Sequence, residues 1–498
     1  MHISSYRNFS LILAFSLLGF CAMGYHPGIE DDGVYLTAVK ADLNPALYPH
    51  DAAFFKLQMR ASVFDTWMAH FVRLTGIPVA WSELLWQSIS ILLVVWACWS
   101  IVRQLFRDAA AQWAGVALTA AMFTLPVAGT ALYIMDQHLH PRNLATALIL
   151  LAVSRILAGK LWQSAPLLGL AFALHPLMGA LGISFCCFLA LTLCAPLRMR
   201  LRSFGARMLP RGAATAVAIV PFGWIFAPPS QPWLEALHSR HWFRLYEWEW
   251  YEWLGAIAPL LLFWLAARVA AKRGEVKLAR FATAIVLYGV FQQSLAMIIL
   301  GPQSLIGLSA LEPMRYLHLV YVFLTLIGGA YLGRYVLKAQ LWRWAVFLAL
   351  ANGGMFVAQR QLFAASAHIE LPSAAAANPW LQAFDWIRRN TPQDAYFALD
   401  PRYMAAPGEE YHSFRALAER SQLADGIKDT SVVTKVSELG PAWKRQLQAQ
   451  QGWSGFQLAD FERLKAGFGV DWVLVADPPP AGLACRWHNR RLAVCRVP

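Results

Sequence analysis

Charge is what this sequence has least of. Only 14% of its 498 residues are charged while 58% are hydrophobic; a soluble domain carries about 25% charged residues. Together with a mean hydropathy of +0.43, this excludes an ordinary soluble enzyme and indicates an integral membrane protein. Several chemical signatures are also missing: there is no glycine-rich phosphate loop, no nucleophile elbow, no internal repeat and no CxxC metal spacing. Cysteine is sparse, and five of the seven (Cys21, Cys98, Cys186, Cys187, Cys194) fall in apolar runs, where they pack. The apolar runs reach about 16–25 residues, helix length, which excludes a barrel of alternating strands of about ten.

These runs lie at about 8–24, 81–102, 110–132, 143–158, 161–175, 177–196, 212–228, 253–271, 281–300, 316–335 and 341–358. The net charge of +13 would suit a nucleic-acid partner, but its distribution argues for none. Every second loop is basic: Arg103/Arg107, Arg155/Lys160, LRMRLRSFGARMLPR (197–211), AARVAAKRGEVKLAR (266–280) and Arg334/Lys338/Arg343. With Arg7, these carry 18 Lys/Arg against two acids, whereas the opposite loops carry 8 against 13. Such alternation is the positive-inside signature. It predicts an all-α polytopic bundle of about eleven spans, with the N-terminus cytoplasmic and the C-terminal tail outside.

LWQSAPLLGLAFALHPLMGALGISFCCFLALTLCA is too long for one helix and short for two. Its flanks are both basic, so a hairpin fits, with His175-Pro176 at an outer turn. The roughly 20 Å of helix before that turn leaves it below the outer surface. Ala22-Met23-Gly24 also resembles a signal cleavage site, but the following loop lies outside on either reading.

Residues 1–358 form the membrane domain and 359–498 a small soluble α/β domain, joined by AASAHIELPSAAAANP, which reads as a linker. In the outer loop 25–80, EDDGVYLTAVKADL and FFKLQMRASVFDTWMAHFVRL are amphipathic and suited to lie flat on the membrane. SQPWLEALHSRHWFRLYEWEWYEW (229–252) reads mainly as an interfacial aromatic belt, a minority of its rings being placed to stack on a sugar. ACRWHNRRLAVC reads as a terminal hairpin that sets Cys485 opposite Cys495 in a compartment where disulfides persist.

Polar residues with chemical potential gather on the outer side. They are Glu30, Asp31 and Asp32 after the first span; Asp136, His138, His140 and Arg142 in DQHLHPRN after the third; His175; His238, Arg240, His241 and Arg244; and Arg315 with His318 in EPMRYLHL. No acid or base lies mid-span, where transporters place their ion sites. Each group has a plainer reading: solvated acids that set topology, or helix-end anchors at head-group level. A metal at DQHLHPRN is disfavoured, because ligands spaced by two do not share a helical face. Taken together, carboxylates, histidines and arginines above an apolar bundle suit a reaction between a lipid-borne phosphate and an outer acceptor. A carboxylate serves as general base, and Arg or His holds the leaving phosphate.

An acidic pair directly after the first span, followed by a tyrosine, resembles the Asp-Glu-x-x-Tyr signature of GT-C glycosyltransferases, which use polyprenyl-phosphate sugars. Asp31 falls on the family's aspartate, Asp32 replaces its glutamate and Tyr35 takes the tyrosine. Asp136 matches the second acidic position, after the third span. The resemblance implies a multi-helix bundle with juxtamembrane helices in the first outer loop, a soluble domain after the last span, and inverting transfer of a sugar to an envelope glycan, lipid or protein at the bacterial inner membrane. It implies Asp31 as base, with Asp32 and Asp136 orienting the acceptor, or a divalent metal ion if one is used. Arg315, His138, His140 and Arg142 would hold the polyprenyl phosphate, while Tyr35, His175, His241 and Arg244 line the sugar and acceptor. The alternatives are a flippase of lipid-linked sugars, a polymerase or ligase of diphosphate-linked glycans, and a non-catalytic envelope scaffold.

Overall fold

The computed structural model describes residues 2–193 and 229–498. The expected span 212–228, the basic loop 197–211 and Cys194 lie outside the described residues.

Among the described residues, seven helices are long and apolar enough to cross a membrane: Tyr6–Met23, Val79–Leu105, Pro176–Leu193, Trp250–Lys272, Val276–Leu300, Pro313–Leu337 and Leu341–Leu362. The chain is a multi-pass helical membrane protein. Large apolar side chains stand exposed along these helices, among them Leu254, Ile257, Leu261, Leu262 and Leu265 on Trp250–Lys272. Such a stripe would be a liability in water and is at home in lipid.

The described spans are fewer than the eleven expected, and the reasons are local. The run 110–132 breaks after the helix Ala109–Ala121 into a short antiparallel hairpin, β1 (Pro126–Val127) with β2 (Leu132–Tyr133). Pro126 lacks the N–H a helix needs, and Gly129 turns the hairpin with φ of 59°. The runs 143–158 and 161–175 form the shorter helices Pro141–Leu157 and Leu161–Leu174. Pro141–Leu157 begins two residues ahead of the expected run, and its first residues explain why. Pro141 sits in its first turn, and the His140 ring accepts the Arg142 N–H as a cap.

One end of the bundle carries the polar segments, and there the linker reading and the surface reading of EDDGVYLTAVKADL need correction. The helix Asp32–Leu43 does not lie on a membrane surface: Val34, Tyr35, Leu36, Ala38, Val39 and Ala41 are all buried, on every side of it. The helix Phe64–Thr75 packs against it, burying Phe64, Met68 and Ala69. The segment 424–443 closes over both. Val432, Val433, Leu439 and Trp443 share an apolar core with Tyr35, Phe55, Phe64, Trp233 and Leu237. The chain stretch 363–378 is docked, because Tyr25 N–H donates to His368 O (3.0 Å) and Glu370 N–H to Tyr25 O (2.9 Å).

The C-terminal part carries a mixed five-stranded sheet in the order β4-β3-β5-β7-β6. Its strands are β3 (Tyr396–Ala398), β4 (Ser421–Gln422), β5 (Trp472–Ala476), β6 (Ala484–His488) and β7 (Leu492–Arg496). β3 runs parallel to β4 and β5; β7 runs antiparallel to β5 and β6. Cys485 and Cys495 are cross-strand partners joined by a disulfide.

Candidate functional site

The loop that leaves the first helix is held from two sides. Tyr25 bridges in parallel to Ile369, and Ile29 antiparallel to His412. Ser413 N–H donates to Gly28 O at 2.7 Å, and Glu30 N–H to Tyr411 O at 3.2 Å. Gly28 takes φ of 83° with Leu417 against it, where a Cβ would lie 2.8 Å from the leucine, so only glycine fits without strain. Gly33 is equally tight: a Cβ there would approach Ser413 to 2.9 Å. The acidic run is therefore placed by residues 411–417, nearly four hundred positions away.

The three acids face three environments. Glu30, half exposed, meets the Lys428 ammonium at 2.9 Å. Asp31, 23% exposed, accepts from the same ammonium at 3.1 Å through Oδ1 and meets His140 Nε2 at 3.3 Å through Oδ2. The tautomer of His140 follows from its other contact. Its Nδ1 accepts the Arg142 N–H at 2.9 Å, so Nε2 carries the proton and donates to Asp31. Burial, and then the neighbouring Arg142 cation, push this imidazole down to about 4, so it stays neutral while donating. Burial alone would raise Asp31, but Lys428, the His140 hydrogen bond and Lys435 outweigh it and hold the carboxyl well below the usual range.

Asp32 turns the other way. It is buried, accepts the Gly28 N–H at 2.7 Å and pairs with the buried Glu83 carboxyl. Burial raises it against the pull of His138 and the Gly28 N–H. The expected role of orienting an acceptor does not suit a carboxyl enclosed in this way; its work is to close the turn that presents Asp31. Glu83 also lines a cavity of about 490 Å³ along the Leu36, Lys40 and Leu43 face of the helix Asp32–Leu43. Tyr35, on another face, sets its ring against His140 at 4.7 Å between centroids.

Behind Asp31 lies the DQHLHPRN cluster. Arg142 grips both oxygens of Asp136, Nε to Oδ2 at 3.1 Å and Nη2 to Oδ1. Burial would raise Asp136, but Arg142, His140 and His138 keep it ionised and well below the usual range. Each Asp136 oxygen takes one Arg142 donor, so this carboxylate fixes the orientation of the guanidinium. The His138 ring lies 5.7 Å from His140 and the His175 ring 5.8 Å. Arg315 donates to Glu312 at 2.8 Å, and Lys435 stands 3.8 Å from the same carboxylate. Several buried polar atoms here have no hydrogen-bond partner among the described residues: both ring nitrogens of His138, Nη1 of Arg142 and Nε of Arg315. Such orphaned donors are rare in folded proteins and call for a ligand or water.

The structure thus brings Asp31, Tyr35, Asp136, His138, His140, Arg142 and His175 into one cluster, with Arg315 at its edge. His241 and Arg244 are not part of it. His241 is largely exposed and pairs with Glu252 at 3.2 Å, and Arg244 pairs with Glu247. Sequence reasoning missed Lys428, Lys435 and Glu83. The signal for the lysines was their spacing of seven in KDTSVVTK, two turns apart on one helical face. Glu83 was an acid inside an apolar span, itself a pointer to function or pairing. No protein-family model matches this sequence, and no curated protein matches it.

Proposed function

We propose that the chain is an inverting GT-C-type glycosyltransferase of the bacterial inner membrane. It takes a sugar from a polyprenyl-phosphate donor and passes it to an envelope glycan, lipid or protein, with the polar end of the bundle and the C-terminal sheet on the extracytoplasmic side. The observation that carries this reading is the Asp31 carboxylate: ionised, partly exposed, steadied by Lys428 and His140, and backed by buried cationic donors with unspent hydrogen bonds. The acceptor hydroxyl gives its proton to Asp31 as its oxygen bonds to the anomeric carbon. The bond from that carbon to the phosphate oxygen breaks, and the polyprenyl phosphate leaves with the electron pair. A weak base suffices where the transition state is oxocarbenium-like, because bond breaking runs ahead of bond making. Nη1 of Arg142 and Nε of Arg315 are suited to the departing charge, since hydrogen bonds to ionised groups are the strong ones.

The test is incubation of purified protein with labelled polyprenyl-phosphate sugars and membrane extract, following label out of the lipid. Asp31→Asn keeps the shape and loses the proton acceptor, so transfer falls about 10²–10⁴-fold while donor lipid still binds. Transfer at the wild-type rate in that variant sinks the general-base role, and a scaffold reading then gains.

A further inference from the structure

Three residues outside this cluster converge where the first helix leaves the bundle: His26 on the exit loop, Glu370 on the docked connector and His412 on the segment that pairs with Ile29. One Glu370 oxygen lies 2.9 Å from His26 Nδ1 and 3.2 Å from His412 Nε2, and the three ligand atoms all fall within 4.8 Å of one another. Both histidines are fully enclosed, and Phe363 stacks on His26 with ring centroids 3.7 Å apart.

The hydrogen bonding at His412 is informative. Its Nδ1 lies 2.9 Å from the Glu410 carbonyl oxygen, which can only accept, so Nδ1 carries a proton. A neutral His412 then points the bare lone pair of Nε2 at a carboxylate oxygen, an arrangement that needs a cation between or upon them. A ring nitrogen donating to a backbone carbonyl while its partner faces a carboxylate is also how metal-bound histidines are oriented. We propose that His26 Nδ1, Glu370 and His412 Nε2 bind a divalent transition-metal ion, zinc by ligand chemistry, which fastens the exit loop between its two flanking segments. Two imidazoles and one carboxylate are a known zinc set. At zinc–ligand lengths of about 2.0–2.2 Å, tetrahedral ligands stand roughly 3.3–3.5 Å apart, so Glu370 need part from each histidine by only a few tenths of an ångström, with the two imidazole nitrogens already within 4.8 Å of each other. The ion would hold together three stretches distant in sequence, five residues ahead of Asp31, and the inference does not depend on the chemistry at Asp31.

The experiment uses full-length protein purified in detergent without metal resin. Elemental analysis is expected to find about one zinc per chain. After chelation the wild type should take up Zn(II), and with Co(II) it should show the visible ligand-field bands of a low-coordinate site. Glu370→Gln and His412→Gln should bind Zn(II) at least about tenfold more weakly, whereas Asp31→Asn binds it normally. A wild type that takes up neither ion after chelation overturns the proposal: His412 is then an imidazolium paired with Glu370. Uptake unchanged in both ligand variants, or lost in Asp31→Asn, places the ion elsewhere and equally overturns it. The cobalt spectrum of the wild type decides the matter even if a ligand variant does not fold.

Discussion

Replacing Lys428 with Met keeps most of the side-chain stem and removes the charge that Glu30 and Asp31 share. The ammonium stands 3.1 Å from Asp31 Oδ1 and 2.9 Å from Glu30 Oε2. An opposite charge at such range lowers an aspartate by about 1–3 pH units, which is about 1.4–4 kcal/mol. In the wild type the Asp31 value is depressed, so its ionised form persists from neutral pH down into strong acid. The stability it contributes is present above the unfolded value of about 3.9 and is lost only as pH falls through the lower folded one. Without Lys428, burial is left opposed mainly by His140 and Lys435, and the carboxyl rises. The acid limb of kcat/KM for sugar transfer should then move up by about 1–3 pH units, with Lys428→Arg restoring the wild-type limb. Glu30→Gln is the control: it frees Lys428 to serve Asp31 alone, so the limb stays put or moves slightly down. The measurement is a pH profile of label transfer in membranes between about pH 2 and 8, reaching below the ordinary carboxylate value of about 3.9, where the wild-type limb lies. A Lys428→Met profile that falls in height but superimposes in shape on the wild type would refute the reasoning, since Lys428 would then be structural and Asp31 not the titrating base.

Arg415→Met should cost about 3–5 kcal/mol in chemical unfolding, because its buried guanidinium bonds both Asp51 and Asp429 and would leave two enclosed carboxylates unpaired. Arg315→Ala should weaken donor-lipid binding as well as turnover, whereas Asp31→Asn lowers turnover alone; equilibrium binding of labelled donor separates the two. Gly28→Ala should destabilise by about 1–2 kcal/mol through its left-handed φ, beyond any clash with Leu417, and lower transfer by shifting Asp31. Cys485→Ser should cost the sheet about 2–3 kcal/mol for a loop of about ten residues, seen as a lower thermal midpoint with transfer unaffected. Reporter fusions after Lys272 and Pro379 should fall on opposite sides of the membrane, the first cytoplasmic.

How far the sequence could be read depended on whether a signal was local. Apolar length and loop charge marked helices such as Trp250–Lys272 and Val276–Leu300, because burial in lipid is a property of each segment by itself. The same rule overcounted at 110–132, where composition stayed apolar through the Pro126–Val127 strand and the Gly129 turn, and only backbone hydrogen bonding decides between helix and hairpin. DQHLHPRN was legible as a unit: Asp136 and Arg142 are six residues apart and meet around the cap of one helix. The acidic run was legible as a cluster but not as a division of labour. Asp31 and Asp32 are adjacent and chemically alike, and they differ only in what faces them, Lys428 for one and the Gly28 N–H with Glu83 for the other.

Those partners explain where sequence reading stopped. Lys428 lies 397 positions from Asp31, and no periodicity links them; the link is the pairing of residues 28–30 with 411–413. The same pairing answers why three scarce acids stand at the exit of the first helix. Unpaired carboxylates at the edge of an apolar bundle would be costly. Here one closes a turn, one shares a lysine, and the third is held ionised by that lysine and by a neutral histidine while keeping an open face. The C-terminal segment is thus more than an appendage to the bundle. It supplies the backbone that positions Asp31 and the cation that keeps it charged. A chain cut at residue 410 would keep every acid, histidine and arginine of the DQHLHPRN cluster, yet should lose transfer as completely as Asp31→Asn does.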